Sequence, residues 1–131
     1  MKRVFVNGTF DILHRGHLEL LEYARSLGDH LTVAIDSDRR VKEKKGPTRP
    51  INSYEERAIM LRALRCVDDV KEFDSDEDLI NLIKCCDLMV KGSDHRNTSV
   101  VGAKYAPEIV FFERIDGYSS TGKIQDILNR R

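Results

Sequence analysis

The feature that most constrains the fold is a regular alternation of short apolar runs with segments of helical spacing. The apolar runs are Val4–Val6, Leu31–Ile35, Leu88–Val90 and Ile109–Phe112, and Val67–Phe73 suggests a further strand with an acidic interior. Between the first two runs, Leu18, Leu21 and Ala24 recur at helical intervals, and Gly28 supplies a stop. Strands joined by helices form a parallel sheet covered on both faces, with right-handed crossovers. The pattern therefore predicts an α/β fold with a five-stranded parallel sheet.

The length of the chain fits this architecture. A chain of 131 residues with 40% hydrophobic and 34% charged residues suits one compact domain. Ser53 and Glu56 form a capping-box pattern that predicts another helix start, whereas the basic stretch Lys42–Pro50 is predicted to be a loop. We expect residues 1–131 to be a single Rossmann-like domain.

Charge and composition restrict the possible partners. The 22 basic and 22 acidic residues cancel, so no overall field attracts nucleic acid or a membrane surface. Five Phe, four Tyr and no Trp form no basic and aromatic stripe. No apolar run approaches the roughly 20 residues of a membrane span. We expect neither nucleic acid nor a membrane as a partner, and any anion must be recognised by a local cluster of residues.

The cysteines and the N-terminus indicate a cytoplasmic protein. Cys66, Cys85 and Cys86 form no CxxC pair, and their odd number suits reduced, buried thiols without a metal or redox role. The apolar part of Met1–Asn7 is too short for a signal peptide. No metal-ligating set is predicted from the sequence.

Ligands of such sheets bind beyond the carboxyl ends of the strands, and the first strand end carries the strongest signal. Gly8 permits a tight turn, and the backbone amides near Thr9 and Phe10 can hold phosphate oxygens. His14 and His17 are three residues apart at the start of a helix, so both can donate hydrogen bonds to the phosphoryl oxygens of one pentacoordinate transition state. A plain surface turn is the alternative. Neither GxxxxGK[ST] nor GxGxxG is present.

Two motifs in these positions carry a family resemblance. The segments Gly8–Asp11 (GTFD) and His14–His17 (HRGH) resemble the nucleotidyltransferase superfamily with the HxGH signature, in its cytidylyltransferase-like branch. Gly117–Thr121 resembles the ISTT-type element of that family, although by itself it also fits an ordinary helix N-cap. The resemblance covers essentially the whole chain and implies the HxGH nucleotidyltransferase fold.

The resemblance implies an enzyme that moves a nucleotidyl group from a nucleoside triphosphate to a small phosphorylated sugar or polyol and releases pyrophosphate. Mg²⁺ would arrive with the triphosphate, and a homodimer is implied. The implied catalytic residues are His14, His17, Lys45 and Arg57. The implied nucleotide-binding residues are Gly8, Thr9, Phe10, His14, His17, Lys91, Arg114, Gly117, Tyr118, Ser119, Ser120 and Thr121. The implied substrate-binding residues are Asp11, Asp36, Asp38, Lys45, Arg65 and Asp94.

Several of these residues also have plain structural interpretations. Arg57 and Arg65 could bridge to acidic neighbours, and Lys91 could form an ion pair at a strand end. Asp36 and Asp38 could bind ribose hydroxyls, the acceptor or a helix N-terminus. Each pair of alternatives is open at the level of the sequence.

The middle of the chain bears on the acceptor. Lys45–Asn52 (KGPTRPIN) resembles the KGPxRPI stretch of heptose-1-phosphate adenylyltransferases, and Val90–Asp94 (VKGSD) is close to their VKGGD. Glycerol-3-phosphate cytidylyltransferases share GTFD, HxGH, the SYE-x-R pattern of Ser53–Arg57 and an arginine in the position of Arg114.

ATP with D-glycero-D-manno-heptose 1-phosphate is the leading prediction, and CTP with glycerol 3-phosphate is the alternative. A nucleotide-binding module without turnover is a third. If the heptose is the acceptor, we expect the stand-alone form without the kinase domain that often precedes it.

Overall fold

The computed structural model describes residues 1–92, 101–113 and 120–129. Its centre is a parallel sheet of five strands in the order β3-β2-β1-β4-β5. The strands are β1 (Arg3–Gly8), β2 (His30–Asp36), β3 (Asp69–Phe73), β4 (Leu88–Gly92) and β5 (Ile109–Phe112). The predicted five-stranded parallel sheet is confirmed.

Helices connect the strands along the chain. They are α1 (Arg15–Ser26), α2 (Asp38–Lys45), α3 (Tyr54–Arg62), α4 (Asp76–Ile83) and α5 (Ser120–Asn129), with a short 3₁₀ helix at Ala103–Tyr105. The predicted cap of α3 is present, since Ser53 Oγ accepts a hydrogen bond from Glu56 N at 3.3 Å. None of the helices described has the length and apolar character needed to cross a membrane.

The prediction of a loop over Lys42–Pro50 was wrong in its first half, because residues 42–45 belong to α2. Ser37 caps this helix, its Oγ accepting from Arg40 N at 3.2 Å, and Gly46 ends it with φ of 102°. Val41 is the only buried residue of α2, so the segment has no apolar periodicity for a sequence pattern to detect. The third strand likewise begins at Asp69, two residues later than predicted.

Alternate residues of the strands feed two hydrophobic clusters on opposite faces of the sheet. Val4 and Val6 pack in the cluster that includes Leu21 of α1 and Leu61 of α3. Phe5 packs in the other, which includes Leu79 and Ile83 of α4. Helices therefore cover both faces, as predicted, and β1 runs through the middle of the molecule.

The cysteines are free, but they are not uniformly buried as the sequence suggested. Cys86 is buried, Cys66 is half-buried and Cys85 is exposed. Burial raises the pKa of the Cys86 thiol to about 11, so this group stays protonated and unreactive near neutral pH.

Candidate active site

The turn that follows β1, residues 8–11, is tightly built around one aromatic ring. Phe10 is buried and adopts a positive φ of 50°, which an L-residue rarely does. A side chain on Gly8 would place its Cβ 3.0 Å from the Phe10 ring. The ring centroid of Phe10 also lies 5.1 Å from that of His17. This GTFD turn therefore leaves little room for a side chain at its first position and places its third residue against a predicted catalytic histidine.

The two histidines form a reciprocal cap at the start of α1. Nδ1 of His14 accepts a hydrogen bond from Gly16 N at 3.1 Å, and Nδ1 of His17 accepts from His14 N at 3.3 Å. The rings stack with their centroids 3.8 Å apart. The structure thus brings together the two histidines that the sequence places three residues apart.

This cap determines which ring nitrogen carries the proton. A nitrogen that accepts a backbone N–H bond must present its lone pair, so Nδ1 is unprotonated in both rings. In the neutral imidazole the proton is then on Nε2. Each ring accordingly presents an Nε2–H group as a donor, which suits the stabilisation of phosphoryl oxygens.

Asp11 joins the GTFD turn to the α2–α3 loop, residues 46–53. Its carboxylate is buried and accepts hydrogen bonds from Ile51 N at 2.7 Å and from Asn52 N at 2.9 Å. Both oxygens are engaged, so the geometry favours the loop-holding role over direct contact with a substrate.

We expect Asp11→Asn to lower the free energy of unfolding by about 1–3 kcal/mol, because the new amide NH₂ would face a backbone N–H that then has no acceptor. Urea denaturation of the ligand-free protein measures this change. Asp87→Asn is the matched control, since the Asp87 carboxylate accepts one backbone N–H, from Arg3 at 2.8 Å, at the amino end of β1. Equal effects of the two substitutions would show that the Asp11 contacts do not hold the loop.

Arg57 makes a second connection between the same segments. Its side chain is fully buried, with Nη1 donating to Thr9 O at 2.9 Å and Nε donating to Asn52 O at 3.1 Å. Nη2 donates to Asp38 Oδ1 at 2.8 Å. The predicted catalytic contact with a phosphate has no support in this geometry, which instead makes Arg57 a positioning residue for the GTFD turn.

Asp36 and Asp38, which were also predicted to bind substrate, lie in different environments. Asp36 is buried at the end of β2, and its Oδ2 accepts from Arg40 Nε at 3.2 Å and from Lys44 Nζ at 3.1 Å. Asp38 keeps 41% of its side chain exposed while it pairs with Arg57. Asp36 is thus committed to holding α2, whereas Asp38 still faces solvent.

Lys45 and Arg49 place two cations next to each other beside Asp11. Loss of solvent around the Lys45 ammonium group and the nearby Arg49 cation both lower the pKa of Lys45. Arg49 itself was not among the predicted site residues, although it lies inside the KGPTRPI stretch. Its place inside that stretch is the sequence signal that could have found it.

Several predicted residues lie elsewhere. Lys91 is buried at the carboxyl end of β4. Arg65 is exposed and lines a surface groove of about 590 Å³ with Leu18, Glu22 and Arg25 of α1. Ser120 and Thr121 belong to the first turn of α5. The predicted site residues Asp94, Arg114, Gly117, Tyr118 and Ser119 lie outside the described residues.

Within residues 1–92, 101–113 and 120–129, no three His, Cys, Asp or Glu side chains are grouped so that they could hold a metal ion. Asp11 is the last residue of the GTFD turn, and both of its oxygens accept backbone N–H bonds.

Comparison with known proteins shows the family to which the chain belongs. A family model described as cytidylyltransferase-like matches residues 5–121. The bifunctional protein HldE of Helicobacter hepaticus is 48% identical over 128 residues, which cover 96% of this chain and 26% of that protein. HldE of Campylobacter fetus is 48% identical over 126 residues, covering 95% and 27%. The chain therefore spans about a quarter of the length of these curated relatives.

Solved structures share the fold. A lipopolysaccharide core biosynthesis protein from Thermoplasma volcanium superposes with a TM-score of 0.74 and 26% identity, covering 88% of this chain and 99% of that one. A protein of unknown function from Archaeoglobus fulgidus superposes with a TM-score of 0.66 and 21% identity over 86% of this chain and 90% of its own. The second likeness supports the fold alone.

Proposed function

The chain belongs to the cytidylyltransferase-like family of nucleotidyltransferases, and from that premise we propose that it transfers AMP from ATP to D-glycero-D-manno-heptose 1-phosphate. The products would be ADP-heptose and pyrophosphate. The observation that carries the choice of acceptor is the α2–α3 loop. It contains the KGPTRPI stretch that resembles heptose-1-phosphate adenylyltransferases, and Asp11 and Arg57 hold it against the GTFD turn.

The chemistry needs little from a general base. An acceptor phosphate is already an anionic nucleophile at neutral pH, so one of its oxygens can attack the α-phosphorus directly while pyrophosphate leaves in line. Catalysis then depends on orientation and on donors aimed at the developing charge. The Nε2–H groups of His14 and His17 supply such donors, and the cap that fixes their protons also fixes their orientation.

The backbone and the cations complete the proposed assignment. Amides of the GTFD turn and of the first turn of α1 would hold phosphate oxygens, helped by the positive end of the helix dipole. Lys45 would neutralise the acceptor phosphate. Mg²⁺, when bound, would neutralise charge on the triphosphate, whose oxygens would provide most of its ligands. Homodimer formation stays a prediction from the resemblance, and a cytoplasmic location stays a prediction from the cysteines and the N-terminus.

A cytidylyltransferase acting on glycerol 3-phosphate is the second candidate, because the chain shares the SYE-x-R pattern with those enzymes. The SYE-x-R pattern shared with those enzymes has a defined role here: Ser53 caps α3, and Arg57 joins α3 to the GTFD turn. That role concerns the turn rather than the acceptor, so it fits both candidates. The loop resemblance is the observation that separates them.

Pyrophosphate release with Mg²⁺ tests the proposal when ATP and CTP are each combined with heptose 1-phosphate and with glycerol 3-phosphate. We expect turnover with ATP and the heptose to exceed each other combination at least a hundredfold in kcat/KM, which corresponds to about 2.7 kcal/mol of discrimination. Mixtures without acceptor give the background rate. Turnover confined to CTP and glycerol 3-phosphate would establish the second candidate and refute the first.

A further inference from the structure

The guanidinium of Arg49 is buried without the hydrogen bonds that such a group requires. Its side chain is 11% exposed, and Nε and Nη2 have no hydrogen-bond partner in the described part of the chain. The nearest carboxylate oxygen, Oδ2 of Asp11, lies 3.6 Å from Nε. That distance balances charge but exceeds hydrogen-bond range, so the two buried donors are left without an acceptor in the described part of the chain.

Burying a charged guanidinium without hydrogen-bond acceptors costs free energy, unless a bound ligand supplies the missing acceptors. An arginine does not lose its proton in proteins, so the group cannot become neutral when it is buried. Arg57, a few residues away, shows the usual solution, because its guanidinium makes three hydrogen bonds. Asp11 does not satisfy Arg49 in the same way, since its nearest oxygen lies 3.6 Å from Nε. Buried polar groups that lack partners are typical of binding sites.

A second cation at the same place indicates the charge of the missing ligand. Lys45 lies close enough for the Arg49 cation to help lower its pKa, so the two groups repel each other in the ligand-free protein. The loop keeps them together, with Arg49 N donating to Gly46 O at 3.2 Å. An anion with several oxygens, placed between the two groups, would relieve the repulsion and accept the donors of Arg49. A phosphate has that charge and geometry.

The sheet order indicates which phosphate this is. Of the predicted nucleotide-binding residues, Lys91 lies on β4, on one side of β1, whereas α2 and its loop follow β2 on the other side. We propose that the guanidinium of Arg49 binds the phosphate of the sugar acceptor. This assignment rests on the proposed function, because it takes the β4 side for the nucleotide. Arg49 and Lys45 would then both bind the acceptor.

Isothermal titration calorimetry of the full chain with Arg49→Gln tests the assignment. We expect heptose 1-phosphate and inorganic phosphate to bind at least tenfold more weakly than to wild type, because glutamine removes the charge and the paired donors. The Kd for ATP with Mg²⁺ should change less than twofold. In turnover, KM for the heptose phosphate should rise by the same factor as its Kd, with kcat less affected.

Two further variants keep the test decisive. Arg39→Gln is the matched control, since it removes an arginine of α2 that pairs with Asp74 on the surface, and its affinities should equal those of wild type. Arg49→Lys retains the charge but not the planar edge, so we expect an intermediate affinity; it also replaces Arg49→Gln if that variant does not fold. Circular dichroism establishes that each variant is folded.

Each outcome bears on one proposal. Loss of ATP affinity instead of acceptor affinity would overturn the assignment, as would unchanged binding of all three ligands. Weaker binding of inorganic phosphate by Arg49→Gln, in an enzyme that does not use the heptose at all, would support the anion site while the proposed function fails. A wild-type protein that binds neither inorganic phosphate nor heptose 1-phosphate would refute the site.

Discussion

His17→Ala is expected to lower turnover at least a hundredfold while the chain remains folded. The His17 ring supplies an Nε2–H donor whose proton is fixed by the bond from His14 N to Nδ1. A hundredfold loss corresponds to about 2.7 kcal/mol of transition-state stabilisation, which is typical for removal of one preorganised donor. Because the donor acts mainly on charge that develops during the reaction, kcat should fall and KM for either substrate should change little.

The stability of the same variant separates catalysis from folding. Loss of one capping contact should cost only about 1 kcal/mol of unfolding free energy. His30→Gln is the matched control. His30 is at the amino end of β2, whereas the GTFD turn lies at the carboxyl ends of the strands. Its kcat should stay within twofold of wild type. Near-normal turnover of a folded His17→Ala protein would remove His17 from the mechanism.

Arg57→Met is expected to lower the free energy of unfolding by about 3 kcal/mol and to reduce turnover as well. Methionine fills much of the volume but leaves Thr9 O and Asn52 O without their buried donor, and it removes the partner of Asp38. The GTFD turn would then lose one of its two connections to the α2–α3 loop. Urea denaturation of the ligand-free protein measures the first effect, and kcat/KM measures the second.

This result distinguishes positioning from direct contact with a phosphate. A residue that only bound phosphate would leave the ligand-free stability unchanged, and a lysine in its place would restore much of the activity. We expect Arg57→Lys to remain destabilised, because one ammonium cannot reach three acceptors in the planar arrangement that the guanidinium provides. Arg62→Met, at an exposed position of α3, is the control for loss of an arginine from this helix. Equal stability of the two methionine variants would contradict the positioning role.

The sheet could be predicted because its signals are local and strong. Strands such as β2 are buried on both faces of the sheet, so Leu31–Ile35 is a continuous apolar segment in the sequence. The cap at Ser53 follows from the chemistry of a single residue, and α1 ends two residues before the predicted stop at Gly28. The glycine of the GTFD turn and the two histidines of HRGH were likewise visible as residue types at a strand-to-helix junction.

What the sequence could not provide is the set of contacts between distant segments. The carboxylate of Asp11 meets backbone N–H groups 40 and 41 residues away, and Arg57 meets a carbonyl 48 residues away. Contacts between residues so far apart in the chain are decided by tertiary packing. The sequence alone therefore could not show whether these side chains bind a ligand or hold distant segments together. Arg49 escaped detection for the same reason, since the burial of its donors depends on the folded loop.

The most direct test of the account follows the bond that the reaction forms. Heptose 1-phosphate labelled with ¹⁸O in its phosphate is incubated with ATP, Mg²⁺ and the enzyme, and the products are observed by ³¹P NMR. We predict pyrophosphate together with a sugar nucleotide whose former ATP α-phosphorus shows the isotope shift of one bridging ¹⁸O. Formation of ADP with a doubly phosphorylated sugar would place the attack at the γ-phosphorus. That result, or release of unlabelled AMP without any sugar nucleotide, would contradict the account.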